Sequence, residues 1–328
     1  MKLLSTILKY LPKLINKSFH VEWCSKIKSV LRGHIMWLFK RAQRLDQGHW
    51  GRSYLTNGQC KDKIFQLDQQ CYPLLELCQY YDLYQEEKGD CIELVNMFVN
   101  QIDEVLTTIL ACKHPEKWIF STDETPGDDP VQYPYHFSSQ ILLWYTLKQL
   151  EQRKFVKSFD LTYWIENLYR DCLECFRTNH PENQNKFLFA YVADNQNSYH
   201  HFYHDANDLP TVYAPLWQFC SHDDEAWLNT MEFAFSPLNK DGFYVVGLGS
   251  VHTRHPWPLG DAQELLYAHL INDETRQRRL LNRLTNQIIQ WDGLYSEAVD
   301  ENDHKVTSRH WFSWPGAVIS IMFLNYYF

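Results

Sequence analysis

Hydrophobic residues recur every three or four positions along most of the chain, which is the spacing of amphipathic helices. This spacing predicts helices over residues 64–84, 90–112, 137–152, 159–177, 211–235, 260–271, 273–290 and 314–327. Pro73 is expected to bend or restart the first of them. The last contains the almost wholly apolar run 317–324, which indicates a position deep in the core. Strand-like runs are few and short, and the best candidates are 186–192 and 242–246. We therefore expect a mainly α protein, a toroid of helices whose long loops meet at one end.

The first 44 residues differ from the rest of the chain in charge. They carry ten Lys or Arg and one acidic residue, so this segment has a charge of +9 and the remainder −18, against −9 for the whole. Within it, residues 2–17 place leucine and isoleucine on one face, which predicts a basic amphipathic helix. Contact with a membrane surface stays open as its role, but packing against the protein's own body is favoured. We expect an N-terminal segment, 1–44, and one main domain, 45–328.

The amino-acid composition favours a carbohydrate partner over nucleic acid. Aromatic residues make up 16% of the chain, with 12 Trp and 20 Tyr, and such rings stack on sugars, although packing accounts for most single rings. An acidic body lacks the basic footprint that nucleic acid requires. No run reaches the roughly twenty apolar residues of a membrane span. Lysines interrupt what would be the apolar region of a signal peptide, which slightly favours an intracellular location.

Four polar loops carry the candidate chemistry. They cover residues 125–135, 200–210, 247–260 and 291–314. Long loops without helix-forming stretches are usually functional in a compact domain.

The 200–210 loop admits a metal site made from His200, His201 and His204, because imidazoles ligate zinc and iron. His200 and His204 would share a face only on a helix. Asn207, Asp208 and Pro210 instead read as turn and cap residues that precede a helix. Metal binding is therefore the less favoured interpretation of this loop.

Paired carboxyl groups are the other interpretation. Glycoside hydrolysis needs one protonated carboxyl to release the leaving oxygen and a second, ionised one to activate water or attack the sugar. Asp205 and Glu297 lie in separate loops that are rich in aromatic and hydrogen-bonding groups. Spacing alone does not single this pair out among 40 acidic residues.

Read together, the loops carry three motifs in a fixed order. The motifs are Asp205-Ala206-Asn207 with Pro210, Gly249-Ser250-Val251-His252-Thr253 followed by Trp257-Pro258, and Glu297 twelve residues ahead of Arg309-His310-Trp311-Phe312-Ser313-Trp314. Over residues 60–328 this order resembles glycoside hydrolase family 125, whose pattern includes DDAN, GSPHT before WP, and HESF ahead of RSWFAW. The Asp128-Asp129 loop and the helix with Asp68 fall in the same order.

The resemblance implies an (α/α)6 helical barrel and a metal-independent, inverting exo-α-mannosidase that acts on α-1,6 linkages of a glycan without a cofactor. It makes the 45–328 domain catalytic, with Asp205 as general acid and Glu297 as general base. The implied substrate-binding residues are Asp68, Asp128, Asp129, Tyr135, His204, Asn207, His252, Trp257, Arg309, Trp311 and Trp314.

The chain departs from the family pattern at several positions. His204 replaces the first Asp of DDAN, Ser296 replaces the His before Glu, and Thr125 stands where Arg is expected. The family's early WLRDS-type segment has no full copy, which leaves open an incomplete barrel wall at the N-terminus. The alternatives to a working mannosidase are accordingly an inactive sugar-binding descendant and a metal-dependent enzyme that uses the histidines.

Overall fold

The computed structural model describes residues 2–45, 48–86, 89–194 and 200–328, and its architecture is mainly helical. The helices are α1 Lys2–Leu14, α2 Lys17–Lys40, α3 Leu67–Tyr84, α4 Asp90–Ala111, α5 Phe137–Gln152, α6 Leu161–Phe176, α7 Leu209–Tyr213, α8 Glu225–Ala234, α9 Pro258–Leu270, α10 Glu274–Asn282 and α11 Ser313–Met322. Single π-helical turns, Arg283–Gln287 and Phe323–Tyr327, extend α10 and α11.

The strands are short and antiparallel. They are β1 Ser53–Tyr54, β2 Cys60–Asp62, β3 Tyr135–His136, β4 Arg177–His180, β5 Asn183–Phe189, β6 Val192–Ala193, β7 His200–His201, β8 Phe243–Tyr244, β9 Gly247–Leu248, β10 Ala298–Val299 and β11 Val306–Ser308. β3, β6 and β7 form a three-stranded sheet, and the others pair as hairpins.

The contacts divide the chain into two compact units. The first comprises Met1–Pro134 and Leu142–Asp171, and the second Tyr135–Ile141 and Cys172–Phe328. In the first unit, α2 buries Ile27, Leu31, Ile35 and Phe39 at four-residue spacing, which is one face of a helix. α1 contacts both α2 and α3. This packing agrees with the favoured role of the N-terminal helix, while the division at residue 44 stays a prediction.

Two predicted helices differ from the structure. α3 continues through Pro73, so the expected restart there is wrong, while a bend at Pro73 stays a prediction. The predicted 211–235 helix is two helices, because α7 ends at Tyr213 and Gln218 then adopts a left-handed φ of 65°. Asp224 starts α8 as its N-cap and accepts a hydrogen bond from the Trp227 backbone N–H. A backbone reversal and a new cap therefore interrupt a continuous apolar pattern.

The second unit contains the Asp205 and Glu297 loops. Its helix α9 is buried along almost its whole length and contacts α7, α10, α11 and β9. No helix among the described residues combines the length and the apolarity needed to cross a bilayer.

Candidate active site

Asp205 lies four residues beyond the end of strand β7 and accepts three hydrogen bonds from Tyr203 and Asn207. Its Oδ2 accepts one from the Tyr203 hydroxyl at 2.6 Å. Its Oδ1 accepts two from Asn207, from the backbone N–H at 2.8 Å and from the side-chain amide at 2.9 Å. Only 2% of the residue is exposed. The carboxyl group is therefore fixed in direction and largely withdrawn from water.

Burial raises the pKa of Asp205 to about 6, and the negative charge of Asp208 adds to this rise. Hydrogen bonds from Tyr203, Ser250 and Asn207 act in the opposite direction. A carboxyl group with this pKa retains its proton over a range in which an ordinary aspartate is ionised. Asp205 is consequently equipped to donate a proton near neutral pH.

Glu297 is the second buried carboxyl group, with 4% of its surface exposed. Its Oε2 accepts a hydrogen bond from the Ser308 hydroxyl at 2.5 Å, and its Oε1 lies 3.2 Å from Nη1 of Arg309. The backbone N–H of Glu297 donates to the Arg309 carbonyl oxygen. These partners all lie in or beside the β10–β11 hairpin.

The 247–260 loop links the two carboxyl-bearing segments. The Ala206 N–H donates to the Gly249 carbonyl at 2.9 Å, and the Val251 N–H donates to the Tyr203 hydroxyl at 3.1 Å. At its other end, the Pro256 carbonyl accepts from the Val299 N–H at 3.0 Å. The same loop is thus bonded to Ala206, next to Asp205, and to Val299, two residues after Glu297.

Gly249 is required for the shape of this middle loop. A Cβ atom at that position would lie 1.9 Å from the His255 carbonyl oxygen, which is far inside van der Waals contact. The absence of a side chain lets the two arms of the loop pair at Gly249 and Pro256.

A line of aromatic rings follows the same loop. Trp257 is only 1% exposed and meets His252 and Phe312 edge-on, at ring-centroid distances of 5.3 and 5.9 Å. Phe312 in turn stacks on Trp314 at 5.6 Å. Trp311, by contrast, is 59% exposed. Trp257 is therefore a buried ring that packs against the loop, whereas Trp311 and Trp314 are accessible to a ligand.

The three histidines of the 200–210 loop engage separate partners. His200 Nε2 lies 3.0 Å from the Cys175 carbonyl oxygen, and His204 Nε2 lies 3.0 Å from Oε1 of Gln263. The His201 ring stacks on Tyr203. His200 and His201 lie on strand β7, not on a helix, so the spacing argument for a metal does not apply to them.

Another set of metal-type donors lies nearby. Side-chain donor atoms of His255, Asp300 and Glu301 all lie within 4.8 Å of one another. His255 Nδ1 is 2.9 Å from Glu301 Oε2, so an ordinary imidazole–carboxylate pair accounts for much of this proximity. None of the predicted site residues belongs to this set.

The remaining predicted site residues fall in both units. Asp68, Asp128 and Asp129 belong to the first unit, where Oδ1 of Asp128 accepts a 2.9 Å hydrogen bond from the Gln66 side chain. Tyr135 lies in β3 of the second unit and is buried. Whether these residues take part in substrate binding stays a prediction.

Several residues that shape the site were not among the predictions. Tyr203, Ser250, Asp208 and Ser308 all act on one of the two carboxyl groups. Tyr203 precedes Asp205 by only two positions, and that proximity in sequence was a usable signal. Ser308 lies eleven residues from Glu297 across a hairpin, and no spacing rule identifies such a pair in advance.

Comparison with known proteins matches these features to one family. The profile of the metal-independent α-mannosidases, glycoside hydrolase family 125, matches residues 119–324. A protein of the fission yeast Schizosaccharomyces pombe, the product of meiotically up-regulated gene 157, is 24% identical over 213 residues. The alignment covers 61% of this chain and 40% of that protein, so the chain spans less than half of this relative's length.

Solved structures show the fold. A Streptococcus pneumoniae metal-independent α-mannosidase, solved in a non-productive complex with α-1,6-mannobiose, superposes with a TM-score of 0.71 at 18% identity, covering 98% of this chain and 85% of that one. The glucoamylase of Saccharomycopsis fibuligera gives a TM-score of 0.63 at 14% identity, with 99% and 84% coverage. The chain has the (α/α)6 helical fold of these glycosidases, as predicted, and more than half of it matches the family profile. The chain belongs to glycoside hydrolase family 125.

Proposed function

We propose that this chain hydrolyses terminal α-mannosidic bonds of glycans with inversion of configuration, and that Asp205 is the general acid and Glu297 the general base. Two buried carboxyl groups with opposite surroundings are the observation that carries this proposal. Burial and the Asp208 charge raise the pKa of Asp205, whereas Ser308 and Arg309 offer Glu297 a hydrogen bond and a positive charge. Acid–base hydrolysis of a glycoside requires two carboxyl groups in different environments, one that donates a proton and one that accepts a proton from water.

The proposed reaction is a single displacement. Asp205 transfers its proton to the glycosidic oxygen as the bond to the anomeric carbon breaks. Glu297 takes a proton from a water molecule, whose oxygen attacks the anomeric carbon from the opposite face. Asp205 ends as a carboxylate and Glu297 as a carboxylic acid, and exchange with solvent restores both. The chemistry needs no metal, which agrees with the family's description.

The substrate would be a glycan with a terminal α-linked mannose, and the α-1,6 linkage is favoured. Support for this linkage comes from the disaccharide in the S. pneumoniae complex. The Arg309 side chain is 63% exposed although it contacts Glu297, so the remaining guanidinium donors can reach a sugar hydroxyl. His252, Trp311 and Trp314 would complete the accessible binding surface.

The stereochemistry of the product tests the mechanism. Proton NMR of α-1,6-mannobiose during hydrolysis should show β-mannose first, and initial α-mannose would contradict inversion. Asp205→Asn should lose activity on mannobiose but retain activity on a mannoside whose leaving group needs no proton. Glu297→Gln should lose activity on both.

Controls separate chemistry from damage to the fold. Asp241→Asn makes the same chemical change at an exposed position of the same unit and should leave turnover intact. Mannobiose binding without turnover by the unaltered chain would instead identify a sugar-binding descendant. Full activity of Asp205→Asn and Glu297→Gln on mannobiose would show that the catalytic assignment is wrong.

A further inference from the structure

Asp208 is a second buried carboxyl group beside Asp205, and it is completely enclosed. Its Oδ1 accepts a hydrogen bond from the Ser138 hydroxyl at 2.7 Å and lies 3.2 Å from Nε2 of His136. The backbone N–H of Asp208 donates to the Asp205 carbonyl oxygen at 3.0 Å. Asp208 occupies the N-cap position of α7, but its side chain makes no capping bond. The predicted cap position is therefore confirmed, but the carboxyl group is bonded to Ser138 and makes no capping hydrogen bond.

Burial of the Asp208 carboxyl group is energetically unfavourable. Within the described residues its Oδ2 has no hydrogen-bond partner, and an incompletely satisfied buried charge is strongly unfavourable. Burial raises the pKa of Asp208, but His136, His204 and Ser138 outweigh that effect and lower it. His136, His204 and Ser138 therefore favour the ionised form of Asp208 although its carboxyl group is buried.

The anchors of Asp208 are themselves fixed. His136 is fully buried on β3, where its Nδ1 lies 2.8 Å from the Ser139 hydroxyl. The His136 ring also meets Tyr191 edge-on at 4.6 Å, and its backbone pairs with Val192 across the sheet. Asp208 is thus held in one place by a rigid strand, and Asp205 is held beside it by Tyr203 and Asn207.

We propose that Asp208 is a positioning residue whose fixed negative charge keeps Asp205 protonated, and that His136 and Ser138 hold it there. This inference rests on the proposed role of Asp205 as general acid. Two adjacent carboxyl groups in a low-dielectric site cannot both ionise readily, so the one with better partners takes the charge and the other retains the proton. Asp208 has the imidazole and Asp205 does not.

The other groups around the pair do not replace this effect. Tyr203, Ser250 and Asn207 favour ionised Asp205, and Tyr244 senses both the Asp205 and Asp241 charges. His204 faces Asp208 and also meets Gln263. Burial alone would also favour the protonated acid, so the proposal requires that removing the Asp208 charge has a measurable effect on Asp205.

Asp208→Asn tests this requirement, because the amide oxygen can still accept the Ser138 hydrogen bond. Carboxyl ¹³C NMR would follow the Asp205 titration in the unaltered chain and in the variant, with the signal assigned through Asp205→Asn. We expect the Asp205 midpoint to fall by about one pH unit in Asp208→Asn. Asp241→Asn removes an exposed charge from the same unit, and water should screen its effect to near zero.

Kinetics provide the second readout. At pH 7 the protonated fraction of Asp205 should fall about tenfold in Asp208→Asn, and with it kcat on mannobiose, while KM stays constant. Turnover of a substrate whose leaving group needs no proton should not change. A purely structural role would lower both activities together and leave the midpoint unmoved, and that result would overturn the proposal.

The two levels of inference can fail separately. If the unaltered chain hydrolyses no mannoside, the proposed function fails, but the NMR titration still tests the coupling of the two aspartates. If Asp208→Asn does not fold, Asp208→Ser provides the test, because it also removes the charge while leaving a hydroxyl that can accept the Ser138 hydrogen bond. An unchanged Asp205 midpoint in folded Asp208→Ser would then refute the proposal.

Discussion

Replacement of Tyr203 by Phe should extend activity toward higher pH. The Tyr203 hydroxyl donates a 2.6 Å hydrogen bond to Oδ2 of Asp205, and this bond favours the ionised carboxyl group. Without it, the pKa of Asp205 should rise above its value of about 6. A general acid acts only while protonated, so the rate falls as pH rises through its pKa. The falling limb of the profile therefore moves upward in the variant.

The size of the shift follows from the strength of the lost bond. A hydrogen bond to a charged group contributes about 1.5–3 kcal/mol, and protonated Asp205 retains part of it in the unaltered chain. A difference of about 1.4 kcal/mol between the two protonation states corresponds to one pKa unit. At pH 8 the protonated fraction of Asp205 should then be about tenfold higher in the variant, whereas at pH 5 the two proteins differ little.

The measurement is the ratio of kcat/KM between Tyr203→Phe and the unaltered chain, followed from pH 5 to pH 8 on α-1,6-mannobiose. The variant also loses the acceptor for the Val251 N–H, which can lower activity at every pH, but a uniform loss does not change the slope of the ratio. We expect the ratio to rise about tenfold over this range. Tyr244→Phe is the matched control, since the Tyr244 hydroxyl donates to the Asp241 carbonyl and not to Asp205. A ratio that is flat or falls with pH would refute the reasoning.

Three further predictions concern stability and metal dependence. The pKa of Asp205 is higher in the folded than in the unfolded chain, so its contribution is fully present below about pH 4 and is lost as pH rises through about 6. Asp205→Asn changes the free energy of unfolding by some amount at each pH. This change should be more stabilising at pH 8 than at pH 4, by up to about 3 kcal/mol. Equal changes in urea titrations at both pH values would contradict this. Gly249→Ala forces a Cβ against the His255 carbonyl, so it should lower the free energy of unfolding by about 3 kcal/mol or more and abolish turnover. Gly316→Ala in α11 is the control, because a Cβ there meets nothing within 4 Å. It should raise the free energy of unfolding by about 0.5–1 kcal/mol in the same denaturation assay. Dialysis against a chelator should leave mannoside hydrolysis unchanged, and restoration of a lost rate by added zinc or manganese would contradict metal-independent chemistry.

Hydrophobic periodicity predicted much of the helical architecture. The helices over 90–112 and 137–152 agree with α4 and α5 to within a residue, because their buried positions recur regularly and nothing interrupts the backbone. The same reasoning failed over 211–235, where Gln218 reverses the chain. Periodicity reports which side chains are apolar but not whether the backbone between them remains helical.

The site was predictable only where local motifs exist. Asp205 and Glu297 stand in motifs whose order along the chain resembles a known family, and the structure brings both into one unit. Asp208 was correctly predicted to start a helix, but its carboxyl group makes no capping hydrogen bond. Its actual partner Ser138 lies 70 residues away. Pairing over that distance depends on tertiary packing, which no local pattern encodes.

The middle loop has a consequence for evolution as well as for mechanics. Gly249 is bonded to the residue after Asp205, and Pro256 is bonded to the strand that follows Glu297. A substitution that displaces this loop should therefore move the segments of Asp205 and Glu297, the proposed acid and base, in one step. Changes of specificity should accumulate in exposed residues such as Trp311, whose replacement leaves the shared support in place.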